Sequence, residues 1–292
     1  MRTDAPPNDG GEAMSTARHR LLMLCVVSLV VAAGEGVALA QGQPEVWTTR
    51  EYCVKVVPGK GPAYEAFLRE VALPLNQSRA DAGEFEWFGV ERAVVPVGSS
   101  ARCDYRLAYT YKGNPPEEAT SDQLNAALKR AGLSLTAEQL AEKRSALIQL
   151  VSMDIWYTFE NVGPQWTKGS FLRFNHWNAK TGQYEEYLRL ERTYWKPLME
   201  AWLKAGGTGS WVLVGLWMPS GEVVPYNAMT IDVFPTWDGL LKGVPVDDLW
   251  SKVHPSTTVA QAMSEQDKVR SLHAQEVFRL VERVERRKPA SN

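Results

Sequence analysis

Runs rich in aromatic and β-branched residues recur at 50–57, 84–95, 103–111 and 155–161, and again at 169–177, 210–218, 226–234 and 276–284. Such runs predict strands. Between the first two, residues 62–80 carry Tyr64, Phe67, Leu68, Val71 and Leu75, an apolar stripe at helical spacing. A second helix is predicted over 182–205, stopped by Gly206 and Gly207. Hairpin turns are expected at 96–100 and 219–222. Two helical pieces, 121–131 and 136–151, precede the fourth strand. The corresponding region of the second half is longer and is broken by Pro245 and Pro255.

The chain is a duplication. Residues 64–70 (YEAFLRE) match 184–190 (YEEYLRL), each after a glycine-containing turn. Pro74-Leu75 and Pro197-Leu198 follow, and then the Trp-led runs 87–90 and 211–214. Near the ends, Arg144-Ser145 precedes the run 154–162, and Arg270-Ser271 precedes 276–284. Five matches in one order outweigh any single one. Each copy reads βαββαβ, a four-stranded antiparallel sheet with helices on one face. The other face is apolar and needs a cover. The expected fold is therefore α+β: two ferredoxin-like repeats, 41–165 and 166–292, packed sheet to sheet as a pseudo-dimeric α+β barrel.

This arrangement resembles the dimeric α+β barrel superfamily, which includes antibiotic-biosynthesis monooxygenases, muconolactone isomerases, chlorite dismutases and NIPSNAP proteins. The stretch 174–234, with Glu191, Trp195-Lys196-Pro197, Gly215 and Pro225-Tyr226, is similar to an uncharacterised family of exported bacterial proteins. His254-Pro255 and Arg270-Ser271 fit that family too. The resemblance implies a fold and a compartment, not a reaction.

The N-terminus reads as a signal peptide over residues 1–40. Arg18, His19 and Arg20 precede an apolar run at 21–31, and Ala38-Leu39-Ala40 offers a cleavage site. Met14 is an alternative start. An exported protein, periplasmic or extracellular, is expected, with no membrane association after cleavage. The net charge of −2 gives a nucleic-acid partner no electrostatic footing. The eleven Trp suggest core filling or an aromatic-lined pocket. Outside the leader, Cys53 and Cys103 would be either bridged or two separate core residues. The pattern leaves monomer and homodimer open.

The duplication serves as an internal control for chemistry. Counting from Tyr64 and Tyr184, Glu191 takes the place of Val71, on a face with Tyr184, Tyr187, Leu188, Tyr194 and Trp195. A carboxylate there would be a general acid or base, or would pair with an Arg or Lys. His176 shares a strand face with Leu172 and Phe174 and reads as a proton shuttle, a haem ligand or a structural residue. His254 would cap the same pocket. Tyr226 and Asn227, beside Trp217, would orient a small ligand or pack a strand edge. Arg270, with Arg144 as its counterpart, would brace the fold.

The expected site is thus a pocket between helix and sheet of the second repeat. Its catalytic candidates are Glu191, His176 and His254; Trp177, Trp195, Trp217, Tyr226 and Asn227 would bind a small apolar or aromatic ligand. A cofactor-independent monooxygenase or isomerase fits it. A structural or interaction module, or a haem-binding protein, are the alternatives. No cofactor is required by the sequence, no metal-site spacing is present, and no phosphate-binding loop, nucleophile elbow or HExxH motif occurs.

Overall fold

The computed structural model describes residues 45–219 and 224–287. The expected leader, 1–40, and the turn residues 220–222 lie outside the described residues. The first copy comprises β1 (Trp47–Val56), α1 (Gly61–Phe67), α2 (Leu73–Asp81), β2 (Trp87–Val95), β3 (Tyr105–Lys112), α3 (Ser121–Arg130), α4 (Ala137–Ser145) and β4 (Ile148–Val162). The second comprises β5 (Phe171–Ala179), α5 (Tyr184–Leu190), α6 (Lys196–Lys204), β6 (Ser210–Met218), β7 (Ala228–Phe234), α7 (Trp237–Lys242), α8 (Val246–Val253), α9 (Val259–Val269) and β8 (Arg270–Glu285).

In both copies a π-helical turn joins the first two helices, at Leu68–Ala72 and at Glu191–Trp195. Each runs into a proline, Pro74 or Pro197, at the start of the next helix. A proline has no N–H, and its ring crowds the carbonyl four residues back; a widened turn relieves that crowding.

The strands close into a barrel in the order β1-β3-β2-β8-β5-β7-β6-β4. Each copy supplies a ferredoxin-like sheet, β4-β1-β3-β2 and β8-β5-β7-β6. The two sheets face one another, as expected, and are also joined edge to edge, β2 to β8 and β4 to β6. Two long strands make this closure. β4 pairs with β1 along its first part and with β6 along its second, and β8 does the same with β5 and β2. Both begin earlier than the sequence pattern predicts. The helix expected to run to residue 151 ends at Ser145, and β4 starts at Ile148. The backbone of 148–154 finds its partners on β1, which outweighs local helix preference.

Alternation along the strands makes three apolar layers. Tyr64, Leu68, Phe88, Val90 and Ile148 pack under the helices of the first copy. Tyr187, Leu188, Leu198, Trp211 and Leu213 do so in the second. Trp156, Leu172, Phe174, Val212, Met229 and Phe278 fill part of the barrel interior together with Cys53 and Cys103. Those two cysteines are bonded to each other, with Cα atoms 5.3 Å apart.

The strand registers also fix which residues are equivalent in the two copies. Glu51 pairs with Asp154 as Phe174 pairs with Glu276. Glu91 pairs with Arg106 as Val214 pairs with Met229. The π turns and prolines make Tyr64 equivalent to Tyr187, and Leu68 equivalent to Glu191. The count from Tyr64 to Tyr184 is therefore one helical turn out of register, and Glu191 does not replace Val71. Arg270, which opens β8, corresponds to Ile148, which opens β4, and not to Arg144. Phe88, not Trp87, is the counterpart of Trp211: each faces the helices, and each lies opposite a valine, Val284 or Val162. Trp87 faces the barrel.

Candidate functional site

A chamber of about 380 Å³ lies inside the barrel. Asn161, Gln165, Glu285 and Arg286 form its exposed rim, and buried Glu51, Glu91, Arg106, Trp156 and Phe174 lie at its depth. Its walls are largely aromatic and aliphatic, with Trp47, Trp87, Trp166, Val212, Val214, Met229 and Ile231. Period-two alternation places them: on β2, Trp87, Gly89 and Glu91 point inward while Phe88 and Val90 meet the helices. Gly89 makes room for a wall residue, because a Cβ there would come within 2.7 Å of the Trp87 ring. The volume falls within the usual small-molecule range of roughly 300–1,000 Å³.

The polar floor is asymmetric between the copies. Glu51, Glu91 and Arg106 come from the first copy, and the equivalent positions of the second hold Phe174, Val214 and Met229. Arg106 is 1% exposed. It donates to Glu51, lies 3.5 Å from Glu91, and stacks on the Phe174 ring with its guanidinium carbon 3.6 Å from the centroid. Several buried polar atoms of this floor have no hydrogen-bond partner: Glu51 Oε1, Glu91 Oε2, Arg106 Nε and Nη1, and Trp156 Nε1. Such groups are costly to bury unpaired. Burial pushes the Glu91 carboxyl up to about 8, and burial takes Arg106 down to about 10 against the pull of Glu276 and Asp154. At neutral pH Glu91 is mostly protonated, as a desolvated carboxyl should be.

Beyond the floor a second polar group fills the barrel. Tyr226 donates to Asp154 at 3.0 Å and accepts from Arg102. Arg102 also lies within 4 Å of Glu51, Asp154 and Glu276. His176 Nε2 is 3.2 Å from Glu276. Burial pulls His176 down to about 4. Burial alone would raise Glu276, but the His176 hydrogen bond and the Arg106 charge outweigh it and hold it at about 2. The pair is therefore a neutral imidazole donating from Nε2 to a carboxylate, which leaves Nδ1 as a buried acceptor without a partner.

The residues singled out from sequence fall in five places, and none lines the chamber. Glu191, Trp177 and Trp195 do meet, under the helices of the second copy, but the expected cleft there is filled. Glu191 is 1% exposed, accepts from Arg270, and has Gln266 at 3.3 Å. Arg270 lies 3.6 Å over the Trp177 ring, and Trp195 donates to Gln266 at 2.8 Å. A buried carboxylate must be paired, and Arg270 pairs it. His176 and Tyr226 face each other inside the barrel, with ring centroids 4.7 Å apart. His254 donates to the Tyr194 carbonyl at 3.0 Å and packs on Trp250. Trp217 lies against Tyr157 with ring centroids 4.8 Å apart. The Asn227 amide ties down Ala179 at the end of β5, accepting from its N–H at 2.8 Å.

The chamber residues were within reach of the same internal control. Aligned on Pro74 and Pro197, the copies place Glu51, Glu91 and Arg106 against Phe174, Val214 and Met229. Three polar residues set against three apolar ones, on strands whose other face is apolar, mark the inner wall. The match of Trp87 with Trp211 hid this, because a one-residue slip exchanges the faces of a strand.

No protein-family model matches this chain, and no curated protein matches it. Solved structures do align with most of it. An anthrone oxidase-like protein is 10% identical, covering 82% of this chain and 93% of its own, with a TM-score of 0.46. A haem-binding protein from Thermus thermophilus is 12% identical over 80% and 91%, with a TM-score of 0.41. A mutant chlorite dismutase from Candidatus Nitrospira defluvii is 7% identical over 80% and 90%, with a TM-score of 0.42. These likenesses are too distant to bear on chemistry. The chamber offers a haem no histidine ligand. His176 is engaged with Glu276 and His254 with a backbone carbonyl.

Proposed function

We propose that this is an exported protein that holds a small, largely aromatic molecule inside its barrel, with the ligand's polar head on Glu51, Glu91 and Arg106. One observation carries the reading: buried, unpartnered polar atoms of these residues open onto an aromatic chamber. A purely structural duplication would fill that space with side chains, as it fills the helix–sheet layer around Glu191. The Cys53–Cys103 bridge supports export, since such bonds persist in oxidising compartments. Calorimetric titration with a panel of one- and two-ring aromatic compounds tests binding. Saturable binding that is lost in Val214→Phe, which fills the chamber from β6, is expected. Binding unaffected by that substitution, or none at all, overturns the proposal.

The state of Glu91 favours a second reading, catalysis by proton transfer. A carboxyl pushed up to about 8 by burial can both give and take a proton near neutral pH. An isomerase, or a cofactor-independent oxygenation begun by removing a proton from the substrate, would use it so. The test is exchange of deuterium into the carbon next to the carbonyl of an aryl ketone. Exchange in the wild type and none in Glu91→Gln supports it; equal exchange rates overturn it.

A further inference from the structure

We propose that the ligand is an organic cation, an aromatic or aralkyl ammonium whose charged nitrogen sits between Glu91, Glu51 and the indole faces of the chamber. The inference rests on the chamber reading above and names its ligand class.

The first observation is the charge pattern. Four acids, Glu51, Glu91, Asp154 and Glu276, converge on two guanidiniums, Arg102 and Arg106, inside the barrel. All four are at most 6% exposed. His176 is held neutral and offsets none of them. Fully ionised, the group carries an excess of two negative charges. Desolvated like charges of that kind demand either protons or a cation. The rim does not correct the balance: Glu86 and Glu285 stand there with Arg283 and Arg286, equal in number, and Arg283 pairs with Glu285 at 2.6 Å.

The second observation is where the excess is exposed. Asp154 and Glu276 are engaged by Tyr226 and His176. Glu51 Oε1 and Glu91 Oε2 have no hydrogen-bond partner, only an arginine nitrogen at 3.9 Å and 3.5 Å, and both residues line the chamber. Arg106 on β3 lies opposite Glu91 on β2 and donates to Glu51 on β1, and Arg102 lies 3.9 Å from Glu51.

The third is the wall. Trp47, Trp87, Trp156, Trp166 and Phe174 surround the same space. Aromatic faces attract cations, most strongly when water is excluded. The protein already uses them so, with Arg106 on Phe174 and Arg283 on Trp87.

Without a ligand, burial keeps the proton on Glu91 despite the Arg106 guanidinium 3.5 Å away, which is shared with Glu51. An incoming ammonium neutralises the carboxylate instead, so binding expels the Glu91 proton to solvent. No bond to carbon forms or breaks.

Calorimetric titration of the full protein tests this with two probes of one shape, benzyltrimethylammonium and its uncharged carbon isostere neopentylbenzene, and with an anion, phenylacetate. The cation is expected to bind at least about tenfold more tightly than the isostere. At pH 7, repeating the titration in buffers of different ionisation enthalpy should show release of up to one proton per cation bound. Glu91→Gln should abolish the release and most of the preference for the cation over the isostere. If that variant does not fold, proton release in the wild type decides. Equal or tighter binding of the isostere or of phenylacetate, or cation binding without proton release, overturns the inference and leaves the chamber standing. Failure of all three probes, with the aromatic panel also failing, overturns both.

Discussion

His176 faces Tyr226 across 4.7 Å at the place where the first copy bonds Cys53 to Cys103. The same two backbone positions, one on the first strand of a copy and one just before its third, are joined covalently in one copy and by ring packing in the other. The bridge closes a loop with a sequence separation of 50. By chain entropy that is worth about 4 kcal/mol.

The double substitution of Cys53 and Cys103 by Ala should therefore lower unfolding stability by roughly 2–4 kcal/mol. Denaturant titration of the wild type with and without reductant should reproduce the loss. If variant and wild type share a midpoint, the bridge contributes nothing to the native state.

The Glu191–Arg270 pair stands where Leu68 and Ile148 stand in the first copy. Glu191→Leu alone strands a buried guanidinium and should cost about 3–5 kcal/mol. Adding Arg270→Ile copies the first half and should recover most of the loss, since apolar replacements of buried pairs are often neutral or better. A double-mutant cycle in urea measures this. A double variant as unstable as the single one would show that Gln266 and Trp177, which also contact Arg270, carry the layer.

Glu91 gives stability a sign with pH. Its folded value, about 8, lies above the ordinary 4.5, so the native state holds a proton that the unfolded chain releases between these values. Stability from this group is intact below 4.5 and is lost as pH rises towards 8, at up to about 1.4 kcal/mol per pH unit. Glu91→Gln cannot titrate. Its stability relative to wild type should increase steadily from pH 5 to pH 8, read by thermal or urea unfolding. A difference independent of pH would mean that Arg106 keeps Glu91 ionised.

Much was legible in the chain itself. Helical stripes and strand runs have short periods set by local geometry, so element order, the duplication and the βαββαβ topology follow from residue spacing. The face that buries Tyr64 and Leu68 could be read in the same way. Buried Glu191 was also visible, but whether its surroundings are a cleft or dry packing depends on Arg270, which arrives from the far end of the second copy. Tertiary structure alone decided how β4 and β8 join the sheets edge to edge, that Cys53 meets Cys103, and which side of the sheet is hollow. Strands present two faces of similar apolar character here, and a slip of one residue exchanges them. Only the closed barrel, by packing Phe88 under helices and leaving Trp87 and Glu91 facing across an interior, fixes the face that holds the site.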